Sequence, residues 1–192
     1  MKNYEKGVNK WYVMGVIGLL MIIGISLVGY YESQVGFYQD LVKMTSQTFS
    51  GDNELGDEYY NIAMLSYERG EYSETEKNCL LARKYYTNHI QELKAEQSKI
   101  TRDDKVFNIY KNVLDESIKI YENTYEACEW FESASRHYEY YYLVTTPYDD
   151  MSFEQASSAI DEMNKKIDAR DNAVREHNSL LEDFKLEMER YY

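Results

Sequence analysis

The chain contains one long apolar run, from Trp11 to Tyr31, that holds no charged residue, no proline and no amide side chain. A helix of about 20 apolar residues spans the hydrocarbon core of a bilayer, so this run predicts a single transmembrane helix. A cleaved signal peptide is the alternative, but its apolar region is shorter and ends at a small-x-small site. The best candidate for such a site, Gly24-Ile25-Ser26, lies inside the run, which favours a retained membrane anchor.

The charges on either side of the run predict its orientation. Lys2, Lys6 and Lys10 precede the run, whereas Glu32 and Asp40 follow it. Positively charged residues beside a membrane segment tend to stay in the cytoplasm. We therefore expect a single-pass protein of the cell membrane, with the short N-terminus in the cytoplasm and the rest of the chain outside.

Small residues fall along one side of the predicted transmembrane helix. They are Gly18, Ser26, Gly29, Ser33 and Gly36. Small side chains let helices approach closely in lipid, so this stripe predicts a packing face for another membrane protein or for self-association. The alternative is that glycine is simply frequent in membrane helices.

The chain beyond the anchor has the composition and the periodicity of long helices. It has a single proline, Pro147, and no glycine after Gly70. Apolar residues recur at intervals of three and four from Val106 to Tyr141 and again from Phe153 onwards, a spacing typical of coiled coils. A shorter stripe of similar spacing predicts another helix from about Ser73 to Ile100. Its members are Thr75, Cys79, Ala82, Tyr86, His89 and Leu93. Short connections make successive helices antiparallel. The predicted fold is therefore all-α, with a single N-terminal transmembrane helix followed by an antiparallel bundle of long, coiled-coil-like helices.

The same patterns predict four segments along the chain. They are a cytoplasmic N-terminus (1–10), the transmembrane helix (11–31), a helical stalk that continues the anchor (32–50) and an extracytoplasmic helical bundle (51–192). The polar segment 50–53 predicts a break, and Gly56 the start of the first helix of the bundle. If the last helix packs into the bundle, four of its apolar side chains should be buried. They are Ile167, Val174, Leu181 and Phe184.

Charge and tyrosine content narrow the class of partner. A net charge of −13 argues against nucleic acid as a partner, since nucleic-acid binding needs basic patches. Tyrosine accounts for 21 of the 192 residues and often occurs in adjacent pairs. It serves both as packing bulk and as an interface residue, because it is large, stiff and amphipathic. We expect one tyrosine of a pair to lie in the core and its neighbour to be exposed.

The residue types that carry catalysis or bind metals are sparse. The three histidines, His89, His137 and His177, lie on different predicted helices, and the helix levels allow at most two of them to meet. Cys79 and Cys128 fall on apolar helix faces, which leaves open whether they are buried thiols or a single disulfide. The spacings of zinc and di-iron sites are missing. We predict no catalytic residue, no bound metal and no cofactor.

Two polar side chains occupy positions that should face the core of the last helix. They are Arg170 and His177. Polar residues at such positions set helix register or partner choice, at some cost in stability. Both are therefore candidate register or partner residues.

A short segment, residues 59–82, carries a recognisable pattern of aromatic, small and turn residues. The positions that match are Tyr59, Ile62, Ala63, Gly70, Tyr72 and Ala82. In these positions the segment resembles one tetratricopeptide repeat. It departs from that repeat at Ser66 and Thr75, and the pattern does not recur in the chain. The resemblance implies a helical hairpin and, for function, contact with another protein.

Taken together, these features favour an interaction protein, namely an accessory or scaffold subunit of a membrane or envelope complex. Its expected partners are the lipid bilayer and another membrane protein or a second copy. The alternative is an extracytoplasmic ligand-sensing bundle that signals through a partner. Nothing in the sequence indicates an enzyme.

Overall fold

A computed structural model describes residues 52–101, 103–143 and 150–190, which form four helices. They are α1 (Asp52–Glu68), α2 (Tyr72–Ser98), α3 (Lys105–Leu143) and α4 (Asp150–Glu189). Helix accounts for 93% of these residues and strand for none, so this part of the chain is all-α, as predicted. It belongs to one compact unit, Gln47–Tyr192.

The predicted transmembrane helix at 11–31 and the predicted stalk at 32–50 lie outside the described residues. Among α1 to α4, no helix combines the length and the apolar character needed to cross a bilayer. The four helices all belong to the segment that the sequence places after the anchor.

Each helix packs against the next one in the sequence, and α3 and α4 form the longest pair. Lys105 at the start of α3 binds Glu187 near the end of α4 at 2.6 Å. Similarly, Lys94 in the last third of α2 binds Glu122 in the first half of α3 at 2.7 Å. Contacts that join the later part of one helix to the earlier part of its neighbour make the two helices antiparallel, as the short connections predicted.

The core draws side chains from all four helices. The buried members are Ala63, Cys79, Ala82, Tyr86, Ala127, Cys128, Phe131 and Met163. Most of them are small, which lets the helix axes approach, while Tyr86 and Phe131 fill the space that remains. The apolar stripe predicted for α2 is confirmed, since every member is buried. Its members are Thr75, Cys79, Ala82, Tyr86, His89 and Leu93.

The first helix begins earlier than the sequence predicted. Asp52 and Asn53 were expected in a break, but α1 starts at Asp52. Asn53 is buried and its Nδ2 donates a hydrogen bond to the Tyr121 hydroxyl at 3.2 Å, which ties this end to α3. Gly56 therefore lies inside the helix. A Cβ there would sit 2.6 Å from the ring of Tyr86, so glycine allows α1 to approach α2.

The α1–α2 connection closes in a defined motif. Gly70 has a φ of 74°, a conformation that glycine adopts without strain. Its backbone N–H donates to the Tyr67 carbonyl at 2.9 Å, and that of Glu71 donates to the Ser66 carbonyl at 2.9 Å. These are the two hydrogen bonds of a Schellman cap. The helical hairpin implied by the repeat-like segment is therefore present.

The last helix packs along α3, but its core face is more open than predicted. Phe184 is buried, whereas the other three side chains expected in the core are half-buried. They are Ile167, Val174 and Leu181. Since α3 is the principal partner of α4, positions at the margins of the contact stripe keep some access to solvent.

Candidate functional site

Seven aromatic rings gather where the α1–α2 turn meets the end of α3 and the start of α4. We call them the tyrosine cluster, which comprises Tyr67, Tyr72, Phe131, Tyr138, Tyr141, Tyr142 and Phe153. Each ring lies within 6.0 Å of at least one other, measured between centroids. Such distances are those of stacked or edge-to-face aromatic pairs, so the rings support one another mechanically.

The inner part of the cluster is continuous with the core. Tyr67 of α1 lies 4.8 Å from Phe131, which is fully buried, and 6.0 Å from Tyr138. Burial, together with the neighbouring Tyr138 hydroxyl, raises the pKa of Tyr67 well above its usual range. The Tyr67 hydroxyl is therefore protonated, and uncharged, at every physiological pH.

The outer part of the cluster is a three-ring stack. Tyr72 lies 5.6 Å from Tyr138 with an interplanar angle of 21°, and 5.9 Å from Tyr142 with an angle of 3°. Tyr72 is the first residue of α2, whereas the other two rings lie one helical turn apart on α3. Tyr138, which also contacts Tyr67 and Phe153, thus packs against Tyr72. Tyr72 in turn packs against the exposed ring of Tyr142.

A surface pocket of about 600 Å³ opens beside this stack. Its walls come from the α1–α2 turn, the first turn of α2 and the last turns of α3. They are Gly70, Glu71, Tyr72, Ser73, Glu74, Glu139 and Tyr142. The volume falls within the range of ligand pockets, about 300–1,000 Å³. Most of the wall residues are exposed, so the pocket is an open depression rather than an enclosed cavity.

The described residues that line the pocket include three carboxylates and no basic side chain. Glu74 has a partner, since Lys77 of the same helix binds it at 3.3 Å on the exposed surface. The side chain of Glu71 does not cap α2, although the residue occupies the N-cap position. Tyrosine faces and carboxylate oxygens are both negative, so the pocket presents two kinds of group that attract cations.

The two predicted register residues do not belong to this pocket. Arg170 is half-buried, and its guanidinium binds the adjacent Asp171 at 2.7 Å. His177 is buried further along α4. A role in register or partner choice stays a prediction for both. The predicted membrane packing face, Gly18 to Gly36, lies outside the described residues.

The remaining polar candidates are spread through the fold. His89 is buried edge-on against the ring of Tyr121 at 4.5 Å, and within the described ranges no three residues of the metal-binding types come close enough to hold an ion. Cys79 and Cys128 are both free and buried. Contact with Cys79, together with burial, raises the pKa of the Cys128 thiol well above its usual range. This environment makes Cys128 a weak nucleophile.

The burial of His177 predicts a pH dependence of stability. Burial lowers its pKa below the usual 6.5, although Asn178 and Glu116 oppose this shift. Because the unfolded chain then binds a proton more readily than the native one, stability should fall as the pH drops through about 6.5. We expect His177→Gln to flatten the dependence of urea midpoint on pH between about 7.5 and 5.5. Equal slopes for the variant and the parent would contradict this expectation.

Comparisons with known proteins yield no relative: no family model, no curated protein and no solved structure matches the chain. The assignment of this pocket as a candidate site therefore depends only on its geometry. Sequence reasoning missed the pocket, because its walls come from two segments that are far apart in the sequence, residues 70–74 and 139–142. The paired tyrosines were the available signal, since they predicted that surplus rings such as Tyr142 would be exposed.

Proposed function

We propose that this protein is a membrane-anchored interaction protein, an accessory or scaffold subunit whose helical domain binds its partner through the tyrosine cluster. The observation that carries this proposal is the exposure of aromatic rings at one end of the fold. Tyr142 is 57% exposed and Phe153 45% exposed, although both belong to a cluster whose innermost ring, Phe131, is buried. Rigidly held aromatic side chains are the residues that most often dominate protein interfaces.

The neighbourhood of the cluster supports the same reading. Tyr140, on the same turn of α3 as Tyr142, is 51% exposed. An aromatic surface of this kind costs free energy while it faces water, and it marks binding sites on many proteins. The repeat-like α1–α2 hairpin, whose turn forms one wall of the pocket, also favours contact with a protein.

Membrane anchoring is the second part of the proposal, and its support comes from the sequence. The apolar run between Trp11 and Tyr31 has the length and composition of a transmembrane helix. Its small-residue stripe offers a second contact surface, within the bilayer, for the same partner or for another copy.

A ligand-sensing bundle is the alternative, and the pocket is the feature that favours it. Sites for small molecules usually bury 70–90% of the ligand. The walls of this pocket are mostly exposed, so a small molecule bound there would remain largely in water. The geometry therefore supports a protein partner better than a free ligand.

Photocrosslinking in living cells tests the interaction. A benzoylphenylalanine placed at Tyr140 should give a discrete adduct with a second protein or with a second copy of the chain. The matched control is the same probe at Leu186, which is 58% exposed on α4 outside the cluster, and which should give little adduct. Equal yields at both positions, or a monodisperse monomer in several mild detergents, would count against the proposal.

Thiol labelling of intact cells tests the membrane topology. The excess of lysines before the apolar run leads us to expect that a cysteine at Ser33 or Ser50 reacts with an impermeant maleimide. A cysteine at Asn3 should react only after lysis and serves as the control. The opposite pattern would reverse the orientation and place the helical domain in the cytoplasm.

A further inference from the structure

The chain contains a site that already binds a guanidinium with tyrosine and glutamate. The guanidinium carbon of Arg83 lies 4.7 Å from the centroid of the Tyr125 ring. The same group donates hydrogen bonds to Glu132 at 2.7 Å and to Glu129 at 2.8 Å. Arginine suits this combination because its planar guanidinium can stack on an aromatic ring. Its N–H groups remain free to donate hydrogen bonds to neighbouring carboxylates.

The pocket beside the tyrosine cluster offers the same chemical groups without an arginine. Tyr142 supplies an exposed aromatic ring, and Glu71 and Glu139 supply carboxylates. Neither carboxylate has an ion-pair partner among the described residues, in contrast to Glu129 and Glu132 beside Arg83. The pocket thus has acceptors for a guanidinium, and the described residues that line it include no lysine and no arginine.

The charge of the pocket indicates whether its ligand is a cation or an anion. The N-terminus of α2 lies at the pocket, and a helix N-terminus alone favours negative charge. Its effect is equivalent to roughly half a positive charge, however, whereas the part of the lining that the structure describes has three carboxylates and no lysine or arginine. The ring faces add further negative potential. An anion is therefore disfavoured, and a planar cation that can stack is favoured.

We infer that this pocket takes an arginine side chain from the partner protein. This inference rests on the proposed function, because it assumes that the tyrosine cluster is the interface. A segment of a partner that lies across the open pocket would cover its exposed walls, while one arginine stacks against Tyr142 and binds Glu139. The net charge of −13 would favour the approach of such a basic segment.

The test uses the full-length protein in a nonionic detergent and the peptide acetyl-Gly-Gly-Arg-Gly-Gly-amide. Binding is followed by saturation-transfer NMR, at about 150 mM salt to screen non-specific attraction to the acidic surface. The control peptide has citrulline in place of arginine, which keeps the shape and removes the charge. We expect saturable binding of the arginine peptide and none of the citrulline peptide.

Variants locate the binding. Tyr142→Ala removes an exposed ring of the pocket and should weaken binding by about two- to fivefold. Glu139→Gln removes a carboxylate and should have an effect of similar size, about two- to fivefold. Trp130→Ala is the matched control, because Trp130 is an exposed aromatic residue of α3 that does not line the pocket, and it should leave binding unchanged.

Three results would overturn the inference. They are the absence of binding, equal binding of the citrulline peptide, and arginine binding that is unchanged in both Tyr142→Ala and Glu139→Gln. These results are distinguishable from failure of the proposed function. A site-specific adduct at Tyr140 combined with no peptide binding would keep the interface and reject arginine as its ligand.

Discussion

Replacing Tyr86 with alanine should lower the free energy of unfolding of the 47–192 fragment by about 3–5 kcal/mol, the range for large buried aromatic side chains. Tyr86 is wholly buried and lies against the backbone of α1 at Gly56. Its hydroxyl donates a hydrogen bond to Asp57 at 2.8 Å. Truncation would therefore open a cavity between α1 and α2 and also remove the polar contact that ties them together.

Two further variants separate these contributions. Tyr86→Phe keeps the ring and removes only the hydrogen bond, so it should cost about 1 kcal/mol. Tyr85→Ala is the positional control, because Tyr85 is half-buried and stacks on Tyr59 at 5.6 Å outside the core. Urea unfolding followed by circular dichroism measures all three. A cost for Tyr86→Ala no larger than that for Tyr85→Ala would show that the α1–α2 contact is weaker than its burial indicates.

The second large effect is expected at the other end of the fold. Phe184→Ala should cost about 3 kcal/mol, at the lower end of the range for buried aromatic residues, because this end of the hairpin can partly close the cavity. The ring is 4% exposed and lies 5.8 Å from that of Tyr110, which is also buried. Its loss would leave one face of Tyr110 without packing against α4.

Leu186→Ala is the matched control for this prediction. Leu186 is on the same turn of α4 but points to solvent, so its truncation should change stability by less than about 0.5 kcal/mol. Leu181→Ala should fall between the two, since Leu181 is half-buried. If all three variants unfold at the same urea concentration, α4 does not depend on packing at this end.

The periodicity of the sequence was sufficient to predict the helical architecture of the described residues. The three- and four-residue spacing identified α2, α3 and α4, and it identified the buried face of α2 completely and that of α4 in part. This success has a physical basis, because a helix that packs on a neighbour must bury one stripe of its surface. Spacing depends only on local geometry, and so it can be read without knowing the partner helix.

Features that depend on two helices at once were less accessible. Gly56 was predicted to start a helix, because glycine inside a helix is unfavourable. Only the structure shows that the ring of Tyr86 packs against this position, where a Cβ would not fit. The pocket is similar, because the stack of Tyr72 on Tyr142 requires the first turn of α2 to meet the last turns of α3. Neither contact has a signature in the spacing of one segment. The anchor, by contrast, is a property of one segment, and it stays a prediction.

The packing of each helix on its neighbour in the sequence has a consequence for how the domain folds. Since each helix packs mainly on its neighbour in the sequence, most contacts join residues that are close along the chain. Such a low contact order is associated with folding in microseconds to milliseconds. The α1–α2 hairpin emerges first from the ribosome, but Phe131 and Ala127, which complete its core, arrive only with α3. Synthesis therefore leaves Cys79 and Ala82 uncovered for several seconds, at roughly 5–20 residues per second, until α3 closes over them.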